Sequence, residues 1–286
     1  MLPADAPEMK RLNIQHRMML LALGGLYPDN YTDSIRRRLK DREGETIEIA
    51  DLGSGSGDWI SDMAKEFPHA RGVGIDLAPS MPIGVASNVR FETRDVTKGM
   101  AEHDGKYDMV HARSVANGIS DYPVFIAAMA RMLKPGGILM LVEGYLQVYD
   151  EELNVMQPTG GIPRLLGEIV ARQASPNNLG INRIGGKLEP WMREHGGFMD
   201  IRAHDLYIPL GWSGSPEHCK EPVAAGRLMM ENMENFAGAW HPMFISMGVP
   251  EVDIDQWVSE ARKQLENPEA LKAYTKWSVV CGQKLE

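Results

Sequence analysis

Apolar positions along the chain change period several times, and the changes mark its elements. Over residues 8–27 Leu12, Met19, Leu23 and Leu26 recur at helical spacing, and Gly24-Gly25 with Pro28 closes the run. A basic helix is predicted over 32–40. From residue 45 onward, short apolar runs alternate with helical ones, which is the signature of a parallel sheet in an α/β fold. Strands are predicted at 45–52, 70–76, 89–95, 107–112 and 138–143, with helices at 58–67 and 122–133 and a tight turn at Lys134-Pro-Gly-Gly137. The stretch 145–185 shows no clear strand. Within it 162–173 reads as a helix and 175–186 as a mobile, polar, glycine-rich loop. A helix at 188–195 stops at Gly196-Gly197, and a long strand follows at 198–210. Residues 217–268 read as helices, one through Met229-Met230, one over 240–247 and one over 252–265. The run 271–283 alternates as a final strand, and no internal repeat or low-complexity tract appears.

Composition narrows the partners. With 286 residues, of which 43% are hydrophobic, the chain can bury a substantial core. Its formal net charge is −9, and its longest basic block is Arg36-Arg37-Arg38. A nucleic-acid groove needs a positive footprint to offset phosphates, so no nucleic acid is expected as a partner. Cys219 and Cys281 are far apart and lack metal-ligand spacing, which implies neither a disulfide framework nor a zinc site. Asp5 and Glu8 interrupt any signal-peptide pattern, and the apolar run 18–26 is too short to span a bilayer. The expected setting is the cytoplasm or the nucleus, with a small molecule as partner and no membrane.

The richest chemistry lies at the end of the first predicted strand, where Asp51-Leu-Gly-Ser-Gly-Ser-Gly57 leads into a helix. Glycines there allow a sharp turn and an approach closer than a Cβ would permit. An acid before them and another, Asp76, about 20 residues later form a nucleotide-type pattern. The dinucleotide spacing fails, however: Asp58 and Ile60 stand where a third glycine would be needed.

Alternate glycines after an acid, followed by Asp76 and Asp95 at two further strand ends, resemble class I S-adenosylmethionine-dependent methyltransferases. The fourth-strand run Tyr107-Asp-Met-Val-His-Ala-Arg113 matches that family's motif at the same place. Together with Arg11-Leu12, Gln15-His16, Asn88-Val-Arg-Phe91 and Leu133-Lys-Pro-Gly-Gly137, it is similar to the fungal LaeA-like group. The resemblance covers roughly residues 45–211 and 271–284. It implies a Rossmann-like α/β fold with a seven-stranded sheet of order 3-2-1-4-5-7-6 and an antiparallel last strand. A single domain is expected: an N-terminal helical lid (1–44), a core (45–211), a helical insertion that would build the acceptor pocket (212–270) and the final strand (271–286).

The implied cofactor is S-adenosylmethionine, which carries no phosphate. Close backbone approach at Gly53, Ser54, Gly55 and Gly57 then matters more than a helix dipole, with Asp51 placed to meet the donor's amino group. Asp76 suits the ribose, because a carboxylate accepts two hydroxyl hydrogen bonds. In the resembling family an acid at Asp95 accepts from the adenine amino group while Val96 packs on the ring; Leu77 is a second apolar contact, and Arg113 joins the cofactor residues. An acceptor hydroxyl must lose a proton, and a neutral histidine is the natural base near pH 7. His111 is the first candidate and Glu143 the second, with the alternatives of a structural histidine and a turn cap. The fourth strand ends in His and Arg rather than acidic and amide ligands, so no metal is expected.

In the insertion Met229, Met230, Met233, Phe236, Trp240, His241, Met243 and Met247 would give an adaptable apolar surface, or an ordinary helical core. The predicted activity is methyl transfer to a small organic acceptor, at oxygen, in secondary metabolism. The resemblance leaves open a nuclear regulator of secondary metabolism acting through protein partners, and a protein that keeps the cofactor for a non-methyl reaction.

Overall fold

The short apolar runs pair as parallel strands in the computed structural model, which describes residues 6–78, 85–173 and 184–286. β1 (Glu48–Leu52) lies between β2 (Arg71–Asp76) and β4 (Tyr107–Arg113). β3 (Val89–Thr93) pairs outside β2, and β5 (Leu133–Tyr149) outside β4. β7 (Tyr274–Lys284) runs antiparallel between β5 and β6 (Phe198–Pro209), giving the order 3-2-1-4-5-7-6. Order and antiparallel last strand agree with the expectation. β1 and β4 are buried along nearly their whole length, as central parallel strands covered on both faces must be.

Side-chain alternation sorts the core into two layers. Ile49, Met109, Met140 and Val142 face α1 (Ala6–Leu23), α3 (Asp58–Glu66), α5 (Gly161–Gln173) and the long helix Pro222–Ser246. Leu52, Val110, Ala112 and Leu141 face α4 (Tyr122–Met132) and the helix Leu188–His195. Asp121 caps α4 by accepting from the Val124 N–H at 3.0 Å. At the amino edge of the sheet Asp108 is fully buried. It accepts from the Glu48 N–H (3.0 Å) and pairs with Arg38 (3.0 Å), Arg42 (2.8 Å) and Lys134 (2.6 Å).

Several boundaries differ from the sequence reading. β5 does not stop at Glu143 but runs to Tyr149, because its second half pairs with β7 through an irregularity between Gly144 and Val148. β3 ends at Thr93, so Asp95 lies in the turn beyond it. The helices expected near Met229 and over 240–247 are one continuous helix that contains Pro242. The last strand begins at Tyr274, since Pro268–Leu271 forms a helical turn closed by Lys272 at φ +44°. Residues 175–183 of the expected mobile loop lie outside the described residues, as do the side chains of Phe236, Trp240 and Met243. Among the described residues no helix is long and apolar enough to cross a membrane.

Candidate functional site

The loop after β1 is built on three left-handed residues, Gly53, Gly55 and Gly57, with φ of +69°, +52° and +74°. Its amides are used internally. Gly53 and Ser54 N–H both donate to the Ile75 carbonyl (2.8 and 3.2 Å), Gly55 N–H donates to Asp76 Oδ2 (2.8 Å), and Gly57 N–H donates to the Ser54 carbonyl (2.8 Å). What the glycines allow is close packing. A Cβ on Gly53 would collide with Val115 from the loop after β4, and one on Gly55 would stand 2.9 Å from Leu12 of α1. Two segments distant in sequence therefore close on this turn. Asn13 on α1 also hydrogen-bonds Asp58 at the start of α3.

Asp76 ends β2, and its two oxygens receive the Gly55 N–H and the Ala78 N–H (2.8 and 2.9 Å). It holds the glycine turn against the end of its own strand, and each oxygen keeps a second lone pair. Leu77 beside it is 48% exposed. Asp95 sits differently from its expected strand-end position. It accepts from the Thr97 N–H (3.0 Å) and hydroxyl (2.6 Å) and pairs with Lys98 (3.2 Å), a self-contained turn. Those Thr97 hydrogen bonds hold its carboxyl below the usual range. Val96 packs half-buried against the second core layer.

Asp51, His111 and Arg113 come together on the sheet face beneath α1. Asp51 is level with His111 in the β1–β4 register. His111 Nδ1–H donates to Asp51 Oδ1 at 2.8 Å, and the imidazole stacks on Trp59 with centroids 3.7 Å apart. Burial pushes the His111 pKa down against the opposing pull of Asp51, so the ring is neutral near pH 7. Among the described residues its Nε2 is buried without a partner. The ring borders a cavity of ≈ 10 Å³ lined also by Met19, Leu23 and Leu26, about the room one water needs. Arg113 donates to His16 Nδ1 (3.3 Å), and His16 Nε2–H donates to Asp62 on α3 (3.0 Å). Sequence reading noted His16 but not its partner Asp62, nor Trp59. Their helical positions carry no local signal of a contact with β4.

Glu143 lies on the opposite face of the sheet, so the two candidate bases are not brought together. It is buried. A single oxygen, Oε1, accepts from the Val115 N–H (3.0 Å), the Ala116 N–H (3.1 Å) and the Tyr122 hydroxyl (3.0 Å). This is the turn-capping alternative, applied to the turn after β4 rather than the one after β5. It secures the turn next to Ser114, whose φ of +57° is strained for a side-chain-bearing residue. Burial outweighs these donors and pushes the Glu143 pKa up to about 7. A carboxyl raised this way favours the fold at low pH, and that contribution is lost as pH rises through about 7. Glu143→Gln, which cannot ionise, is therefore expected to gain roughly 3 kcal/mol on wild type between pH 4.5 and 8. Denaturant titrations of both proteins across that range check this, and a pH-independent difference would contradict it.

In the insertion Met229 and Met233 are buried core residues, while Met230 and Met247 pack at its margin. His241 lies 3.5 Å from Asp255. A groove of ≈ 310 Å³ runs between α5, the long helix and the helix Glu251–Glu266, with Ile162, Met233, Val258 and Ala261 among its lining.

Comparison with known proteins agrees with this architecture. A family model described as a methyltransferase domain matches residues 27–166. The chain is 28% identical to the secondary metabolism regulator laeA of Coprinopsis cinerea over 99% of its own length and 69% of the relative's. It is 33% identical to the methyltransferase pytC of Aspergillus terreus over 75% of its length, and spans 62% of that protein. Among solved structures, phosphoethanolamine N-methyltransferase 2 of Haemonchus contortus in complex with S-adenosyl-L-methionine shares the fold. It aligns with a TM-score of 0.52 at 17% identity, covering 96% of this chain and 57% of the other. Sheet order, glycine turn and sequence kinship converge on the class I S-adenosylmethionine-dependent methyltransferases, and within them the chain is similar to the fungal LaeA-like group.

Proposed function

We propose that the protein methylates a small organic acceptor, at oxygen, in secondary metabolism. The observation that carries the donor half of this reading is the end of β2. There Asp76 is locked to the glycine turn yet keeps lone pairs, beside an exposed Leu77. Hydroxyl recognition and an apolar shelf side by side are what a nucleoside needs. Among the described residues Ser54 Oγ and Ser114 Oγ are buried without partners at the ends of β1 and β4, a further sign that the region is built for a polar guest. The residues present thus fit S-adenosylmethionine, which supplies a methyl carbon already activated by a sulfonium. Asp76 and Leu77 would hold its ribose and adenine, with Val96 beside them. Asp95, engaged by Thr97 and Lys98, would reach the adenine amino group only through its remaining lone pairs. Asp51, Arg113 and the turn Gly53–Gly57 would hold the amino-acid end.

The chain's own contribution is chiefly positional, as in-line methyl transfer depends on orientation in a dry pocket. α1 would exclude water as a lid, with Leu12 against Gly55 and His16 bridging Asp62 and Arg113. We assign His111 to positioning Asp51, because its enclosure leaves space for a water but not for an acceptor. His111→Ala is expected to weaken donor binding about tenfold and leave the pH profile of turnover unchanged. Loss of the acid limb of that profile would instead mark His111 as the base. The groove of ≈ 310 Å³ in the insertion is one candidate acceptor region.

Calorimetry with S-adenosylmethionine and its demethylated product, followed by label transfer to phenols, carboxylic acids and amines, tests the reading. Absence of donor binding would sink it, and transfer to amines alone would sink the choice of oxygen. A second reading is supported by the similarity to laeA over almost the whole chain: a regulator that binds the donor and works through proteins. It predicts donor binding without turnover on any small acceptor.

A further inference from the structure

β4 ends at Arg113, level with Val142, whereas β5 continues to Tyr149 and stays paired with β7 as far as Tyr274. β5, β7 and β6 therefore rise past the carboxyl edge of the parallel strands as an antiparallel wall. On the wall's Glu143 face, Glu143 lies opposite Ser278, and Ser278 lies opposite Asp205. Two residues further out on β7 stands Lys276, on the order of 8 Å from Glu143 by strand geometry. Glu143 in turn holds the loop that follows β4.

Lys276 is set in an aromatic frame. Its Nζ is 4.9 Å from the Tyr145 ring centroid and 5.3 Å from that of Tyr207, and it pairs with Asp205 Oδ2 at 2.8 Å. The lysine side chain is 15% exposed and the aspartate 41%, so the cation is sheltered while its partner faces water. Burial alone would lower the Lys276 pKa, but Asp205 and the tyrosines overcome it and hold the ammonium charged. The frame is rigid. Gly185 packs so closely on Tyr145 that a Cβ there would stand 2.5 Å from Cε2. The aromatic surface continues through Tyr149, whose ring meets Tyr207 edge-on at 5.4 Å, and through Tyr274.

A sheltered cation between phenol rings, beside the loop at the end of β4, suits a planar acid: the rings take an aromatic body and the ammonium takes a carboxylate. Resting on the methyl-transfer reading above, we propose that Lys276, framed by Tyr145 and Tyr207, anchors the carboxylate of a small aromatic acceptor. Asp205 holds the ammonium in place and competes with that carboxylate. The two halves of the ion pair then have opposite effects on binding, which a purely structural pair would not produce.

The test compares 4-hydroxybenzoate with the uncharged 4-hydroxybenzamide, with affinities read by ligand-observed NMR on the full chain with and without S-adenosylhomocysteine. The acid is expected to bind at least about tenfold tighter than the amide. Lys276→Met should erase that preference and Lys276→Arg keep it. Asp205→Asn should tighten the acid by about threefold or more and leave the amide unchanged. Equal affinities, binding of neither probe, a preference that survives Lys276→Met, or weaker acid binding in Asp205→Asn would each overturn the proposal. The wild-type probe pair and Asp205→Asn decide the matter even where Lys276→Met fails to fold. Binding of S-adenosylhomocysteine is read on the same samples, and label transfer on parallel samples of the same proteins supplied with labelled S-adenosylmethionine. Failure of the methyl-transfer reading thus shows up separately from failure of the anchor.

Discussion

Asp76→Ala is expected to weaken S-adenosylmethionine binding by about 2–4 kcal/mol, roughly 30- to 1000-fold. The substitution acts twice. It removes the acceptor proposed for the ribose hydroxyls. It also releases the Gly55 and Ala78 N–H groups, both of which donate to this carboxylate. The Gly55 contact links the glycine turn of β1 to the end of β2, so its loss frees a turn that already holds three left-handed residues. Asp76→Asn keeps one carbonyl oxygen and should lose less than alanine does. The measurement is calorimetric titration with the donor, with thermal melting as a check on folding. Asp76 sits at the rim rather than in the core, so the melting temperature should change little. A loss of affinity below about threefold would remove Asp76 from the donor site.

The largest effect on stability is expected at the other end of the sheet, from Asp108→Ala. This carboxylate is fully buried and meets Arg38, Arg42 and Lys134 together with the Glu48 N–H. Its removal leaves three cations converging on a space without an anion, and breaking such a buried pair typically costs about 3–5 kcal/mol. The cations here reach water in part, with 19–29% of their side chains exposed, which lowers the expectation to about 2–4 kcal/mol. Denaturant unfolding measures it. Donor affinity should be unaffected in the folded fraction, because Asp108 lies at the amino edge and the glycine turn at the carboxyl edge. A change of less than about 1 kcal/mol would mean that the cluster contributes little beyond packing.

Elements whose signal is local were legible in the sequence. Alternating strands and helices through residue 143, the glycine turn and the acid ending β2 all follow from short-range patterning, because central parallel strands must be apolar throughout. The second half of β5 was missed for the opposite reason. Its strand character comes from pairing with β7, more than a hundred residues later. Gly-Tyr-Leu-Gln-Val-Tyr149 carries too little periodicity to declare itself alone. Likewise the sequence reads one helix through Met229-Met230 and a separate one over 240–247, yet a single continuous helix containing Pro242 spans both.

The candidate site divides the same way. Residue types and spacing pointed to Asp51, Gly53, Gly55, Asp76 and His111, since each is placed at or near the carboxyl end of a strand by the chain itself. What each one touches depended on the fold. Strand alternation puts His111 and Glu143 on opposite faces, so they cannot act as an acid–base pair. Burial against Trp59 and Asp51 makes His111 a held ring, and three donors make Glu143 a fastener of the loop after β4. The Lys276 frame had no sequence signature at all, because its members come from three strands and a glycine-rich turn far apart in the chain.

The sequence by itself determined the alternation of strands and helices, the glycine turn and the family resemblance, because those rest on local patterning and on backbone conformations that only glycine adopts readily. Only the tertiary structure decided which side chains share an environment: Leu12 of α1 against Gly55, the enclosed His111 and the cation on the β5–β7–β6 wall. Burial and charge pairing act through space between distant segments, and no local pattern encodes them.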